Sequence, residues 1–590
     1  MRIRNLFTRH CTYWNQGKYT EAETLEIQVM DKQKELLGPY HPYTLTAMAN
    51  LAATYQKLEK YSEAEILQIQ VMNKQKELLG PNHQGTLIAM ANLAATYWNQ
   101  GKYAEAETLE IQVMDKQKEL LGSDHPYTLK VMANLAATYQ KLGKYSNAEI
   151  LQIQVINKQK ELLGSNHPGT LIVMANLAAT YWSQSKYAEA ETLEIQVIDK
   201  QKELLGPYHP DTLTAIENLA ATYWNLGRYP EAETLQIQVM YKRRELLGPG
   251  HPDTLRVMEN LAAIYQNLGR YPEAQTLQIQ VIDKRKELLG PAHLDTLRAM
   301  ENSAATYWNL GRYPEAQALQ IQVVDKRKEL LGQDHPDTLT VMANLAITYG
   351  KLGRYPEAEA LQIQVMGKRK ELLGTGHPDT LAVMENLAIT YGNLGRYPEA
   401  ETLQIQVMNE RKELLGPDHP GTVTVMENLA ITYWNLGRYP NVETLQIQVM
   451  DKRKKLLGLD HPDTLRVMEN LAATYQNLGR YLEAETLQVQ LIDKRKELLG
   501  QDHPDTLRAI EDIAVTYKNL GRYIEAEESQ NQVISKKWRV RENLEAIYQD
   551  LLKDPGVRDI GDSDEGKEKG AAGFKSFGYT DSHGEPSRHF

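Results

Sequence analysis

Twelve histidines recur at a single spacing. His41, His83, His125, His167, His209, His251, His293, His335, His377, His419, His461 and His503 stand 42 residues apart without a slip. Imidazole is the commonest metal ligand, so metal chemistry is the first reading to weigh. A zinc ion gathers its ligands at about 2.0–2.1 Å. A residue that occurs once per structural repeat is instead separated from its copies by the spacing between repeats. Nearly every one of these histidines also precedes a proline. They mark the phase of a repeat, and neither a metal nor a cofactor is expected. No GxxxxGK[ST] phosphate loop, HExxH or GxSxG is present. The carboxylate-rich PEAE turns recur in many units, whereas a catalytic site would be singular. The chain does not read as an enzyme, nor as the receptor of a small-molecule substrate.

A second recurring group is better suited to binding. Asn50, Asn92, Asn134, Asn176, Asn218, Asn260, Asn302, Asn344, Asn386, Asn428 and Asn470 precede a Leu-Ala or Ser-Ala pair, and Asp512 takes the place in the last unit. An amide offers donors and an acceptor together, so it can hold a peptide backbone without demanding a side chain. The residue one step earlier is Ala49, Ala91, Ala133 and Ala175, then Glu217, Glu259 and Glu301, then Ala343, then Glu385, Glu427, Glu469 and Glu511. The residue after the helix's tyrosine also varies: Trp98, Gln140, Trp182, Trp224, Gln266, Trp308, Gly350, Gly392, Trp434, Gln476 and Lys518. Six of the seven tryptophans occupy this position, counting Trp14. Core tryptophans would not alternate with Gln, Gly and Lys, so a surface role follows, and aromatic anchors are common binding hot spots. The carboxylates predict a preference for basic ligands in the C-terminal two-thirds and for more apolar ones before it. Arg256, Arg298, Arg466 and Arg508, each three residues before such a glutamate, could cancel that charge within their own helix.

The stretch from His251 to Ala292 shows what must position these groups. Leu255, Met258, Leu261, Ala262, Tyr265 and Leu268 follow steps of three, three, one, three and three, which is one face of an α-helix. Pro252 suits its first turn, and Gly269 its end. Pro272 and Glu273 open a second helix with an acid favoured by the helix dipole. Ala274, Leu277, Val281 and Leu288 form one apolar face of it, Ile279 and Ile282 a second, and Gly290 ends it. The unit is a pair of antiparallel helices with no strand signal. Such a pair cannot bury its faces alone, so the units must stack, and a fixed period in this range is the mark of a solenoid. Ala262 marks a close approach, since every unit keeps alanine there from Ala52 to Ala514.

Met258-x2-Leu261-Ala262-x2-Tyr265, Gly269-Arg270-Tyr271, Ala274 and Val281 together resemble the tetratricopeptide repeat. Met258 stands where that repeat has tryptophan, Ala262 where it has glycine and Gln278 where it has an aromatic. The unit also exceeds the usual length of about 34 residues. The 42-residue form, with its HPDT start, NLA in the first helix and GRY at the turn, resembles kinesin light chain repeats and, more closely, the tetratricopeptide arrays of fungal NOD-like receptors. The resemblance covers roughly residues 11–551. It implies an all-α fold, an α-solenoid winding as a right-handed superhelix, and a scaffold that binds a peptide or partner protein in a concave groove. In the family the asparagine matching Asn260 contacts bound peptide there. A kinesin light chain-like cargo adaptor and the recognition array of a NOD-like receptor are narrower versions. A spacer without a ligand is the structural alternative.

Composition bounds the rest. The chain has 590 residues and a net charge of −11, which gives no reason to bind nucleic acid or an anionic membrane. Cys11, the single cysteine, excludes an intramolecular disulfide and suits a reducing compartment. No apolar run approaches the length of a spanning helix, and residues 1–7 lack the apolar core of a secretion signal, so the cytoplasm is expected. Residues 1–10 do not match the start of a unit, and the chain enters the array mid-unit. Residues 20–206 alternate in pairs, giving an 84-residue super-period: WNQGKY at 98–103, QKLGKY at 140–145, WSQSKY at 182–187. From about Trp224 the idiom becomes LGRYPEA and KRKELLG. Arg541 and Glu545 place charge where units carry Met258 and Ala262, which predicts a terminal helix ending near Leu552. The repeat solenoid is thus expected over residues 1–552, and a disordered tail over 553–590.

Overall fold

The computed structural model describes residues 13–14 and 16–536. The expected terminal helix and tail, and the entry before Tyr13, lie outside the described residues. Two compact units divide the chain, one running to Arg312 and one from Tyr313. Within each, the described residues form helices joined by short turns, with no strand among them. A 16-residue helix A alternates with a 19-residue helix B, as in Pro252–Asn267 and Tyr271–Leu289. Within each compact unit, every helix packs on its neighbours in sequence. This is an all-α solenoid.

The HPDT start acts as a single capping device. In all twelve copies the histidine is the N-cap of helix A, and its Nδ1 accepts the N–H two residues on, at 3.1–3.3 Å. This satisfies one of the donors that a helix start leaves unpaired. The following proline, where present, has no N–H to lose there. The threonine is fully buried, and in all copies but Thr254 and Thr380 its hydroxyl donates back to the carbonyl of the glycine that ended the preceding helix B, as from Thr296 to Gly290 at 2.9 Å. That glycine sits near φ 91° and ψ 162°, a region essentially closed to other residues.

The core is chiefly helix A. Leu255, Val257, Met258, Leu261, Ala262 and Ile264 are all buried. In helix B the structure corrects the expected faces. Ala274, Val281 and Ile282 are buried, but so are Gln278 and Arg285, while Ile279 is 42% and Leu288 56% exposed. Helix B thus buries polar groups between units and presents its final Leu-Leu pair to solvent, as at Leu288 and Leu289, with Leu331 half-buried.

At the turn between the helices, the GKY or GRY motif fastens neighbouring units. The arginine stacks on the tyrosine that ends helix A, as Arg270 does on Tyr265 at 4.5 Å. Where the unit before carries glutamate at the matching place, it also pairs with that acid, as Arg270 does with Glu233 at 2.8 Å. The glycine is left-handed, near φ 70° at Gly269. Two units lack it: Glu59 and Ser185 hold φ values of 58° and 60°. A side chain in that conformation costs about 1–2 kcal/mol. Ser185→Gly should therefore stabilise the protein by about 0.5–1 kcal/mol, part of the relief being offset by the freer unfolded glycine. Chemical denaturation would check it.

Candidate functional site

The asparagines lie on helix A and are half-exposed or exposed in every copy. Hydrogen bonds at these residues use the backbone carbonyl, as when Gln140 Nε2 donates to the Asn176 oxygen at 2.9 Å. Among the described residues their side-chain amides make none. The helix-to-helix hydrogen bond that would have given them a purely structural role does not form.

The residue after the tyrosine decides how the seam between successive helices A is filled. Where it is glutamine, its amide crosses to the next unit. Gln56 Nε2 donates to Thr96 Oγ1 at 2.6 Å, and Thr96 donates in turn to Gln68 Oε1 on the intervening helix B, again at 2.6 Å. Gln140, Thr180 and Gln152 repeat this relay at 2.5 and 2.7 Å. A cavity of only about 60 Å³ is left at the first of these seams.

At Trp182 and Trp434 no amide crosses and the seam is open. Trp182, Glu194 and Asn218 line a cavity of about 300 Å³ together with small residues such as Ala179 and Ala215. Trp434, Gln446 and Asn470 line another of about 260 Å³, with Glu427 and Arg466 at its edge. The tryptophan stands edge-on to the first tyrosine of helix B, as Trp182 does to Tyr187 at 6.2 Å and Trp224 to Tyr229 at 6.5 Å. Trp182 and Trp224 are 42% and 39% exposed, and Trp98, Trp308 and Trp434 are half-buried. The structure therefore brings the tryptophan of one unit and the asparagine of the next to one surface.

The glutamates lie elsewhere. Glu217 is buried and pairs with Arg243 of its own helix B at 3.1 Å and with Arg256 of the next unit at 2.7 Å. Glu259 meets Arg285 at 2.7 Å, and Glu385 meets Arg411 at 2.6 Å. Glu427 meets Arg453 and Arg466, and Glu469 meets Arg495 and Arg508. The expected source of cancellation is corrected. Arg256, Arg466 and Arg508 neutralise the glutamate of the unit before, not that of their own helix. The main partner is an arginine of helix B that the sequence reading did not single out. Burial still pushes the carboxyls of Glu217, Glu259 and Glu385 up, and the arginines beside them pull back. These acids do not form the free anionic face expected of the C-terminal two-thirds.

Unpaired acid sits in the N-terminal units, at a helix B position that is glutamine in the others. Glu110 and Glu194 are 5% and 7% exposed, and the Oε2 of each is buried without a hydrogen-bond partner. Burial pushes Glu26, Glu110 and Glu194 up to about 7; Thr54, Thr138 and Thr222 pull back, while the outward-paired Glu23, Glu107 and Glu191 add to the rise. In the sign of the linkage, the folded state holds these protons more tightly than the unfolded chain. The stabilisation is full below about pH 4.5 and is lost as pH rises through about 7. Glu110→Gln together with Glu194→Gln should therefore remove a decline in stability between pH 5.5 and 8 of on the order of 2–3 kcal/mol per carboxyl. Thermal melts of wild type and variant across that window would show it. Surface acids such as Glu231 are held below the usual range by their arginines and titrate beneath it.

The sequence pattern of the tetratricopeptide repeat matches residues 12–77, 129–203, 211–287, 257–308, 295–371, 350–401, 379–455 and 463–535, and a second pattern of the same repeat matches 86–127. The chain belongs to the tetratricopeptide repeat family. Among solved structures it is similar to the nearly identical TPR-like repeats of a Podosopora anserina protein described as a kinesin light chain. That protein and a substituted form of it are 33% and 32% identical, each match covering 35% of this chain and 98% of the other at a TM-score of 0.33. BtubC (BKLC) from P. vanneervenii is 19% identical, over 40% of this chain and 94% of its own, at a TM-score of 0.35. No curated protein matches the sequence. A tetratricopeptide array of this kind is a protein-interaction scaffold. Among the described residues no helix is long and apolar enough to cross a membrane.

Proposed function

We propose that this chain is a non-catalytic scaffold of the cytoplasm whose helix A faces hold an extended peptide or a segment of a partner protein. The eleven asparagines would grip the backbone of that segment, and the tryptophans would receive its side chains. The reading is supported above all by the asparagine amides, which recur at one position of helix A, reach solvent, and make no hydrogen bond among the described residues. Donors and acceptors left open in register along a scaffold suit an extended main chain, which carries donors and acceptors of its own. The shared cavities of Trp182 with Asn218 and of Trp434 with Asn470 add apolar anchors beside them. The test is selection of a random dodecapeptide display library on the full chain, followed by titration of the winners against Asn218→Ala and Asn470→Ala. Each substitution should weaken peptides that engage its unit by about 3- to 10-fold, the worth of one net hydrogen bond. Winners indifferent to both, and to Trp182→Ala and Trp434→Ala, would place binding on another surface.

A further inference from the structure

The Trp182 cavity differs from the Trp434 cavity in one chemical respect. At the helix B position that lines both, the first has Glu194 and the second Gln446. Gln446 Oε1 accepts from the Thr474 hydroxyl at 2.6 Å. Glu194 is more than nine-tenths buried, and no hydrogen bond or ion pair satisfies its Oε2. Nearby cations are already engaged on other acids: Arg228 holds Glu191 at 2.9 Å, and Lys186 holds Glu149 at 2.9 Å. Glu217, Glu259 and Glu385 each have an arginine, and this acid does not.

The combination recurs at the super-period. Trp98, Glu110 and Asn134 stand two units before Trp182, Glu194 and Asn218, and Trp14, Glu26 and Asn50 two units before those. In the intervening units Gln56 with Gln68, and Gln140 with Gln152, form the closed relay instead. Tryptophan comes with glutamate and glutamine with glutamine. Throughout these units the aromatic is therefore paired with an acid across the seam. At one copy the chain supplies an ammonium of its own to the ring: Lys141 Nζ lies 5.8 Å from the centre of Trp98. At the later copy the corresponding residue is Asn225, whose amide donates to the Ala221 carbonyl.

We propose that the Trp182–Glu194–Asn218 cavity, and the matching seam at Trp98–Glu110–Asn134, each receive one lysine or arginine side chain of a bound protein segment. The cation would give the Glu194 carboxylate the partner it lacks, at a desolvated site where a charge-assisted hydrogen bond is strong. The Trp182 ring would cover the aliphatic stem and face the charge. At about 300 Å³ the cavity is at the bottom of the range of small-molecule pockets and suits one inserted side chain. The basic preference thus falls in the N-terminal units, opposite to the one that the exposed-looking glutamates of the later units suggested. Asn218 would hold the neighbouring backbone, so this inference rests on the groove reading above and adds the residue class it selects.

The test uses the full chain and the same random dodecapeptide library. Wild type is expected to select peptides enriched in lysine or arginine. Glu110→Gln with Glu194→Gln should weaken those peptides on the order of tenfold or more, while leaving helical content unchanged, because glutamine is the native residue at Gln68 and Gln152. Replacing the basic residue of a winner by norleucine should abolish the difference between wild type and variant. Gln446→Glu should in turn raise the affinity of the Trp434 unit for basic peptides. Peptides that weaken with Asn218→Ala but bind both glutamine variants as tightly as wild type would overturn this inference and leave the groove reading standing. Winners without basic enrichment would do the same. A chain that selects no peptide at all would overturn both.

Discussion

Ala262→Glu is expected to unfold the array around its own unit. Ala262 is 1% exposed, and its counterparts from Ala52 to Ala514 are 4% exposed or less. At such a position there is no room for four more heavy atoms, and overpacking alone costs about 1–3 kcal/mol. The carboxylate would also be buried without a cation, since the arginines of the neighbouring helices B are engaged: Arg243 with Glu217 and Arg285 with Glu259. An unpaired buried charge adds several kcal/mol more. Stability in a stacked array is close to a sum of unit and neighbour terms. The loss should therefore be confined to Pro252–Asn267, Tyr271–Leu289 and the helices touching them. Hydrogen exchange by mass spectrometry should show those peptides losing protection while Pro42–Lys57 and Tyr61–Leu79 keep theirs. Protection lost evenly along residues 19–312 would mean that the units fold as one cooperative block.

The helices, their phase and their ends were legible because local rules set them. The spacing of Leu255, Met258, Leu261 and Ala262 defines a helical face whatever it packs on, and proline and glycine mark the two ends. The open asparagines and the tryptophan position also stood out, since they depart from the apolar pattern. Three things were missed. The N-cap role of histidine was hidden behind its proline, which explains a helix start without it. The buried Arg285 was not singled out within KRKELLG, because a long charged side chain is not assigned to a core by type. Glu194, in TLEIQ, was not singled out, because a carboxylate among apolar and polar neighbours carries no local sign of burial. Yet a signal for the last two lay in the sequence. The repeats align with one another, so a change at one position that is matched by a change at another reports contact. The first units carry alanine on helix A with glutamine on helix B, as at Ala133 and Gln159. Later units carry glutamate and arginine at the same two places, as at Glu259 and Arg285. Tryptophan and glutamate likewise rise and fall together in alternate units of the N-terminal block. Reading each unit singly, for its periodicity, discards that information.

The exchange of alanine and glutamine for glutamate and arginine makes a prediction with a built-in asymmetry. Arg285 is 6% exposed, donates to Glu259 Oε2 at 2.7 Å, and also donates to the Asp295 carbonyl at 2.7 Å. Arg285→Gln would leave Glu259 largely buried without its cation. Breaking a buried pair from that side costs about 3–5 kcal/mol. Glu259→Ala should be far milder, because Arg285 would keep the Asp295 carbonyl. One unit already has that arrangement: Ala343 is followed by Arg369, which donates to the Asp379 carbonyl at 2.9 Å and to Thr340 at 3.1 Å. No unit pairs the glutamate with a glutamine at the Arg285 position. Glu259→Ala combined with Arg285→Gln recreates the Ala133 and Gln159 idiom of the N-terminal units and should recover most of the loss, a coupling that a double-mutant cycle measures directly. The pH dependence separates this account from simple loss of packing. Burial already holds the Glu259 carboxyl above its ordinary value against the pull of Arg285 and Arg298. Removing Arg285 raises it further, so the folded variant would bind the proton more tightly than the unfolded chain does. Its deficit relative to wild type should shrink as pH falls toward 5 and grow as pH rises toward 8. A deficit of the same size at both ends would mean that Arg285 acts through the volume of its side chain and not through its charge.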